Sequence, residues 1–143
     1  MNRFFPILTL AIIAFFASGC FEVEDTIANV TVVRINNIGE EIPVDEAEVR
    51  LFADPSPDLD DPGISRFDTT QLTSDAGFVS FNFSKFYVGG QAGFAVLDIK
   101  VKKGNGNCDN PDPLDPVDQN TLCGTGLIKI EEMETTSETI IVQ

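Results

Sequence analysis

The chain contains no histidine and no tryptophan, and these two absences remove whole classes of function. Serine and cysteine triads that use an imidazole base are excluded, together with the usual histidine-containing zinc and iron sites. Sugar-binding faces commonly stack their ligand on tryptophan or tyrosine, and Tyr87 is the one tyrosine among 143 residues. A carbohydrate-binding accessory role therefore ranks below contact with a protein partner.

Basic residues are scarce as well. Nine Lys and Arg stand against 23 Asp and Glu, which gives a net charge of −14. Nucleic-acid binding requires clustered cations that displace counterions from phosphates, and the one cluster is Lys100, Lys102 and Lys103. The same charge disfavours electrostatic attraction to anionic lipid headgroups. We predict no nucleic-acid partner.

Sequence motifs of catalysis are missing. Apart from Ser18, which precedes Gly19, no serine lies in the sequence context of a nucleophile elbow. Gly89-Gly90 and Gly104-Asn105-Gly106 are followed by strand or loop, not by the helix that a phosphate-binding loop opens. A pair of glycosidase carboxylates is not singled out among the many acidic residues. We therefore predict a protein without enzymatic activity.

The first nineteen residues have the pattern of an export signal. Met1-Asn2-Arg3 gives a positive start, Phe4 to Phe16 is almost wholly apolar, and Ala17-Ser18-Gly19 is a run of small residues. The apolar run is shorter than the roughly 20 residues with which a helix crosses a bilayer. We predict a cleaved signal over 1–19 and no permanent membrane span.

Ala17-Ser18-Gly19-Cys20 resembles the lipobox of bacterial lipoproteins, with Ala17 where leucine is commonest. The resemblance implies that Cys20 is diacylated on its sulfur and begins a mature chain of 124 residues, the 143 less the 19 before it. An ordinary signal peptide with an incidental Cys20 is the alternative. The expected partners are the membrane, through covalent lipid, and another envelope protein.

We predict that residues 20–26 form a short acidic tether. Phe21-Glu22-Val23-Glu24-Asp25 resembles the surface-export signals of lipoproteins in some Gram-negative bacteria, and the aspartate that retains others in the inner membrane is absent at Phe21. The resemblance implies an outer-membrane lipoprotein that is displayed at the surface. A plain solvated tether is an equal alternative.

From Ala28 onwards, short β-branched or aromatic segments alternate with turn formers, and no sustained helical period occurs. Ser74-Asp75-Ala76-Gly77 has the chemistry of a tight turn, which predicts a hairpin between the strands on either side. We predict one all-β domain over 27–143, an antiparallel β-sandwich of about seven strands: Ala28–Ile35, Glu46–Phe52, Phe67–Thr73, Phe78–Ser84, Gly93–Lys102, Leu127–Glu132 and Glu138–Val142.

Three stretches within residues 42–81 resemble those of a known group of sandwiches. They are Ile42-Pro43-Val44, Ala47 to Phe52, and Thr73 to Gly77 followed by Phe78-Val79-Ser80-Phe81. Their order is similar to that in the prealbumin-like domains, the carboxypeptidase regulatory-like domains among them. The resemblance implies a non-catalytic module for stability, adhesion or partner binding.

The two remaining cysteines lie late in the chain. With Cys20 assigned to lipid, Cys108 and Cys123 are left in a compartment that permits disulfides. We predict a bridge between them that closes the proline-rich loop of residues 104–120. Two free thiols are the alternative.

Calcium is the one cofactor that the sequence suggests, and a calcium-dependent binding or adhesion module is the alternative function. Its candidate ligands recur every third residue inside that loop, and calcium takes six to eight oxygen ligands of this kind. The spacing is not that of an EF-hand, and three nearby prolines favour a rigid solvated segment as the alternative. The candidates are Asp109, Asp112, Asp115 and Asp118, with a weaker group at Asp54, Asp58, Asp60 and Asp61.

Overall fold

The computed structural model describes residues 24–53, 67–86 and 94–143. The predicted signal over 1–19, Cys20 and the acidic loop around Asp58 lie outside these residues. The described part contains eight strands and one short helix: β1 (Ile27–Ile35), β2 (Glu41–Pro43), β3 (Glu48–Ala53), β4 (Phe67–Leu72), β5 (Phe78–Asn82), β6 (Phe94–Lys103), α1 (Pro116–Gln119), β7 (Leu122–Glu131) and β8 (Thr135–Ile141).

The strands form two sheets, which confirms the predicted all-β sandwich. In sheet A, β1 pairs with β8 on one side and with β5 and then β2 on the other. Sheet B has the order β4-β3-β6-β7. All pairs are antiparallel except β1 with β8, which run parallel. The predicted count of seven was short by β2, a three-residue strand with too little sequence for a visible alternation.

The core follows from the two-residue alternation of the strands. Side chains at every second position point between the sheets and are almost completely buried, whereas their neighbours face solvent. Leu51 of β3 and Ile99 of β6 lie opposite each other in sheet B and have at most 1% exposure. The other members of the core are Ala28, Val30, Val32, Val44, Ala47, Val49, Val79, Phe81, Phe83, Leu97, Val101, Ile128, Ile130, Ile140 and Val142.

The predicted hairpin between β4 and β5 is wrong, although its turn forms. Gly77 N–H donates to the Ser74 carbonyl, and Gly77 has a positive φ of 69°. The flanking strands then enter different sheets, because β4 pairs with β3 and β5 pairs with β1. β4 has no buried side chain, so it offers no apolar row against which Val79 and Phe81 of β5 can continue the core.

The sandwich has two distinct ends. The near end contains the start of β1, where Thr26 is buried and accepts a hydrogen bond from Met133 N–H. The far end contains the turn at residues 73–77 and the loop of residues 104–121. Because the nine residues of β1 rise about 3.3 Å each, the two ends are separated by roughly 30 Å.

Candidate functional site

The loop of residues 104–121 joins β6 to β7 and folds back over the outer face of sheet B. The predicted disulfide is confirmed, since Cys108 and Cys123 are bonded with 5.7 Å between their Cα atoms. The bond ties the loop to β7, one strand of the surface that it covers. The proline-rich segment is therefore covalently attached to sheet B.

Asp118 is the hydrogen-bonding centre of this loop. One carboxylate oxygen accepts from Asn107 N–H and the other from Asp112 N–H at 2.6 Å. Both amide contacts stabilise the ionised form and hold the pKa of Asp118 below its ordinary value. Thr121, which is 7% exposed, adds a second connection by accepting from Gly106 N–H and donating to the Val117 carbonyl.

Gly106 is required where the two halves of the loop meet. A Cβ atom at this position would lie 2.6 Å from the Asp118 Cα and 2.5 Å from its Oδ1. Only a residue without a side chain allows the backbone to pass so close to Asp118. The Asn105–Asn107 segment therefore packs directly against Asp118 of the short helix α1.

The four aspartates of the 104–121 loop that were predicted as calcium ligands each have another role in the structure, whereas the weaker group at Asp54 to Asp61 lies outside the described residues. Asp109 forms an ion pair with Lys100 at 2.8 Å, Asp112 accepts from Leu114 N–H, and Asp115 caps α1 by accepting from Val117 N–H. No group of three or more His, Cys, Asp or Glu side chains within the described ranges is placed to hold a metal ion. Calcium binding stays a prediction, and melting with and without EDTA tests it.

A cleft of about 660 Å³ lies between this loop and the outer face of sheet B. The sheet side of the cleft includes three of the nine cations of the chain, Arg50, Lys100 and Lys102. In the strand register, Arg50 of β3 lies directly opposite Lys100 of β6, and Glu48 lies opposite Lys102. The loop side includes the carboxylates of Asp109, Asp115 and Asp118.

Arg50 and Lys100 are like charges in a position where they repel each other. Asp68 receives two hydrogen bonds from Arg50 at 2.7 and 2.8 Å, and Asp109 receives one from Lys100. These hydrogen bonds lower the pKa of both carboxyls. Both cations also lie over the ring of Phe52, at 4.7 and 5.8 Å from its centroid. Phe52 is 6% exposed and lies outside the main core.

Lys102 differs from its neighbours, because no ion pair within 4.0 Å joins it to any residue that the structure describes. Lys103, its neighbour in the predicted basic cluster, points away from the cleft and pairs with Asp45. Sequence reasoning missed the convergence of Arg50, Lys100 and Lys102. Each strand shows its own alternation, but only the register of β3 with β6 brings these cations together.

The comparisons with known proteins do not place this chain in a family. No family model, no curated protein and no solved structure matches it. Among the described residues, no helix has the length and apolar content to span a membrane.

Acid should destabilise the folded protein through Asp118. A carboxyl whose pKa is lowered by folding contributes stability that is complete above its ordinary value of 3.8. That contribution disappears as the pH falls through the lowered pKa. We expect Asp118→Asn to reduce the melting temperature at pH 7 and to flatten its decline between pH 5 and pH 2.

Melting curves at pH 7, 5, 3 and 2 measure this difference. Asp75→Asn is the matched control, because it removes the same charge from an exposed position in the turn at residues 73–77. Parallel acid profiles for wild type and Asp118→Asn would contradict the role of Asp118.

Proposed function

We propose that this chain is an outer-membrane lipoprotein, anchored through Cys20, whose sandwich is a non-catalytic module that binds another envelope protein. The observation that supports it best is the position of the cleft. The described chain begins at the near end of the sandwich, and the loop of residues 104–121 lies at the far end. An anchor at Cys20 would therefore present the cleft away from the membrane.

The connection between anchor and sandwich is short. Six residues lie between Cys20 and Ile27, the start of β1, and they reach roughly 20 Å when fully extended. The length of β1 adds roughly 30 Å to this distance from the membrane. At that distance the cleft is accessible to a neighbouring envelope protein. Thr26 ties this connection into the sandwich through hydrogen bonds with Ser84 and Phe83.

The cleft has the chemistry of a protein-binding surface. Its cations lie on the sheet side and its loop carboxylates on the opposite side, so a partner can exchange ion pairs across it. Electrostatic complementarity of this kind gives specificity. Holding Arg50 opposite Lys100 is unfavourable for folding by itself. Sites that break a local rule of stability are frequently functional, which supports a binding role for these two residues.

We propose further that the sandwich is of the prealbumin-like kind. Two four-stranded sheets and the turn at residues 73–77 support it. Such a scaffold fits a binding module, but a fold alone does not establish a function.

Intact mass of the native protein tests the anchor. We expect a chain that begins at Cys20 and carries the added mass of acyl groups. A chain that retains residues before Cys20, or that has no lipid mass, would overturn it.

The binding role is tested by a photo-crosslinking amino acid at Thr125, an exposed residue of the cleft, in intact cells. We expect a specific adduct with an envelope protein, and a several-fold weaker adduct when Lys102→Glu is added. A probe at Asp75 is the control, since this residue is also exposed at the far end. Equal adducts from both positions, or no adduct from Thr125, would contradict the proposal.

A further inference from the structure

The outer face of sheet A has no charged side chain in its first four cross-strand rows. Each row takes one residue from β1, one from β8 and one from β5 or the end of β2. The rows are Asn82-Ile27-Thr135, Ser80-Asn29-Ser137, Phe78-Thr31-Thr139 and Pro43-Val33-Ile141. We call these twelve residues the neutral face.

The half of the neutral face nearer the far end is mainly apolar, with Thr31 and Thr139 as its two polar members. Phe78 and Ile141 are 41% and 48% exposed. Ile35, which lies opposite Glu41 in the next row, is 45% exposed. Val33 between them is 4% exposed but does not belong to the core cluster, because it lies on the outer side of the sheet. Hydroxyl and amide side chains occupy the other half except at Ile27. An exposed apolar patch with a polar rim is typical of an interaction surface.

The charge of the rest of the molecule indicates what this surface binds. The net charge is −14, so two copies that met through most other faces would bring carboxylates together. The outer face of sheet B, for comparison, has Glu48, Arg50, Asp68, Asp98 and Lys129 in its rows. The neutral face can therefore pack without charge repulsion only against another uncharged surface. The neutral face of a second copy of this chain is such a surface.

We infer that the neutral face joins two copies of the chain in a two-fold symmetric, face-to-face dimer. A two-fold axis parallel to β1 places β5 of one copy over β8 of the other and β1 over β1. Phe78 of one copy then faces Thr139 of the other, because both residues lie in the same row. Aligned packing of two sheets in this manner is a common arrangement, with about 10 Å between them.

The same symmetry keeps both near ends on one side of the dimer. Two copies tethered to one membrane could therefore pair without detaching, although the inference does not depend on the lipid anchor. The nine residues of β1 and three strand widths give a flat face of roughly 400 Å². Stable dimers bury about 800 Å² on each partner, so we expect a weak equilibrium that becomes substantial when copies are concentrated on a surface.

Sedimentation of the mature protein, in mild detergent where lipid is present, tests the inference. We expect reversible dimers at high protein concentration, and we expect salt to strengthen them because it screens the repulsion between two negative molecules. Thr139→Glu places a charge on the neutral face and should weaken association at least tenfold. The matched control Thr70→Glu places the same charge on the exposed outer face of sheet B and should leave association unchanged.

A second measurement identifies the contact directly. Thr31→Cys lies on the central strand of the neutral face and should give a covalent dimer with a short bismaleimide, whereas Thr125→Cys on sheet B should not. Monomers at all concentrations would overturn the inference. Dimers that weaken with salt, or that respond equally to Thr139→Glu and Thr70→Glu, would also overturn it.

Discussion

Replacing Cys123 with serine is expected to lower the free energy of unfolding by about 3 kcal/mol. The bond joins residues 15 apart, and closing a loop of that length removes about this much conformational entropy from the unfolded chain. The folded loop keeps its other connections, because Asp118 and Thr121 bind backbone groups across it without help from sulfur. The loss should therefore appear mainly as lower stability, with little change in the shape of the sandwich.

Urea unfolding of the wild type and of Cys123→Ser measures the effect. Cys108→Ser is the matched variant, and the double variant should be no less stable than either single one, since all three remove the same bond. Unchanged stability, together with two titratable thiols in the folded wild type, would show that the bridge is absent.

The strands of the core could be predicted because their alternation is strong. In Glu46–Phe52 and Gly93–Lys102, apolar residues occupy every second position, and Val49, Leu51, Ile99 and Val101 are accordingly buried. The bridge was also predictable, since the chain has three cysteines and the lipobox-like context assigned the first of them, Cys20, to lipid. These inferences needed only local pattern or simple counting.

Strand pairing could not be predicted from the same patterns. The turn at Ser74–Gly77 reverses the chain in the manner of a hairpin, yet β4 and β5 belong to different sheets. Local turn chemistry determines the reversal, whereas the choice of partner depends on where buried rows continue. β5 pairs with β1 through contacts such as that of Val79 with Val30, and these two residues are 49 positions apart in the chain.

The candidate site shows the same limit. The aspartates of the loop were visible at a spacing of three, but their hydrogen bonds to backbone amides depend on how the loop folds. The neutral face was hidden for a similar reason. Asn29 and Thr31 of β1, and Ser137 and Thr139 of β8, are unremarkable in each strand, and only the parallel register aligns them.

Replacing Gly77 with alanine is expected to destabilise the fold by about 3 to 4 kcal/mol. Gly77 has a φ of 69°, and a left-handed conformation costs a residue with a side chain about 1 to 2 kcal/mol. The added Cβ would also lie 2.5 Å from the Val32 carbonyl oxygen and 2.9 Å from the Val44 nitrogen. Both are main-chain atoms, so relief requires movement of the backbone.

This movement would affect the point where β1 changes partner. Val32 N–H donates to the Gly77 carbonyl at 2.7 Å, and Val44 N–H donates to the Val32 carbonyl at 3.0 Å. Disturbing these two hydrogen bonds costs about 1 kcal/mol each, in addition to the strain at φ. Sheet A is continuous along this side of β1 only while both bonds persist.

Gly39→Ala separates the two contributions. Gly39 has a φ of 84°, but a Cβ there would meet nothing within 4 Å. Its replacement should therefore lower the free energy of unfolding by only about 1 to 2 kcal/mol, which is the cost of the left-handed φ alone. Urea unfolding of both variants measures the difference, which we attribute to the contact of position 77 with Val32 and Val44. Equal losses in the two variants would show that this junction tolerates a side chain, and that the close approach does not hold sheet A together.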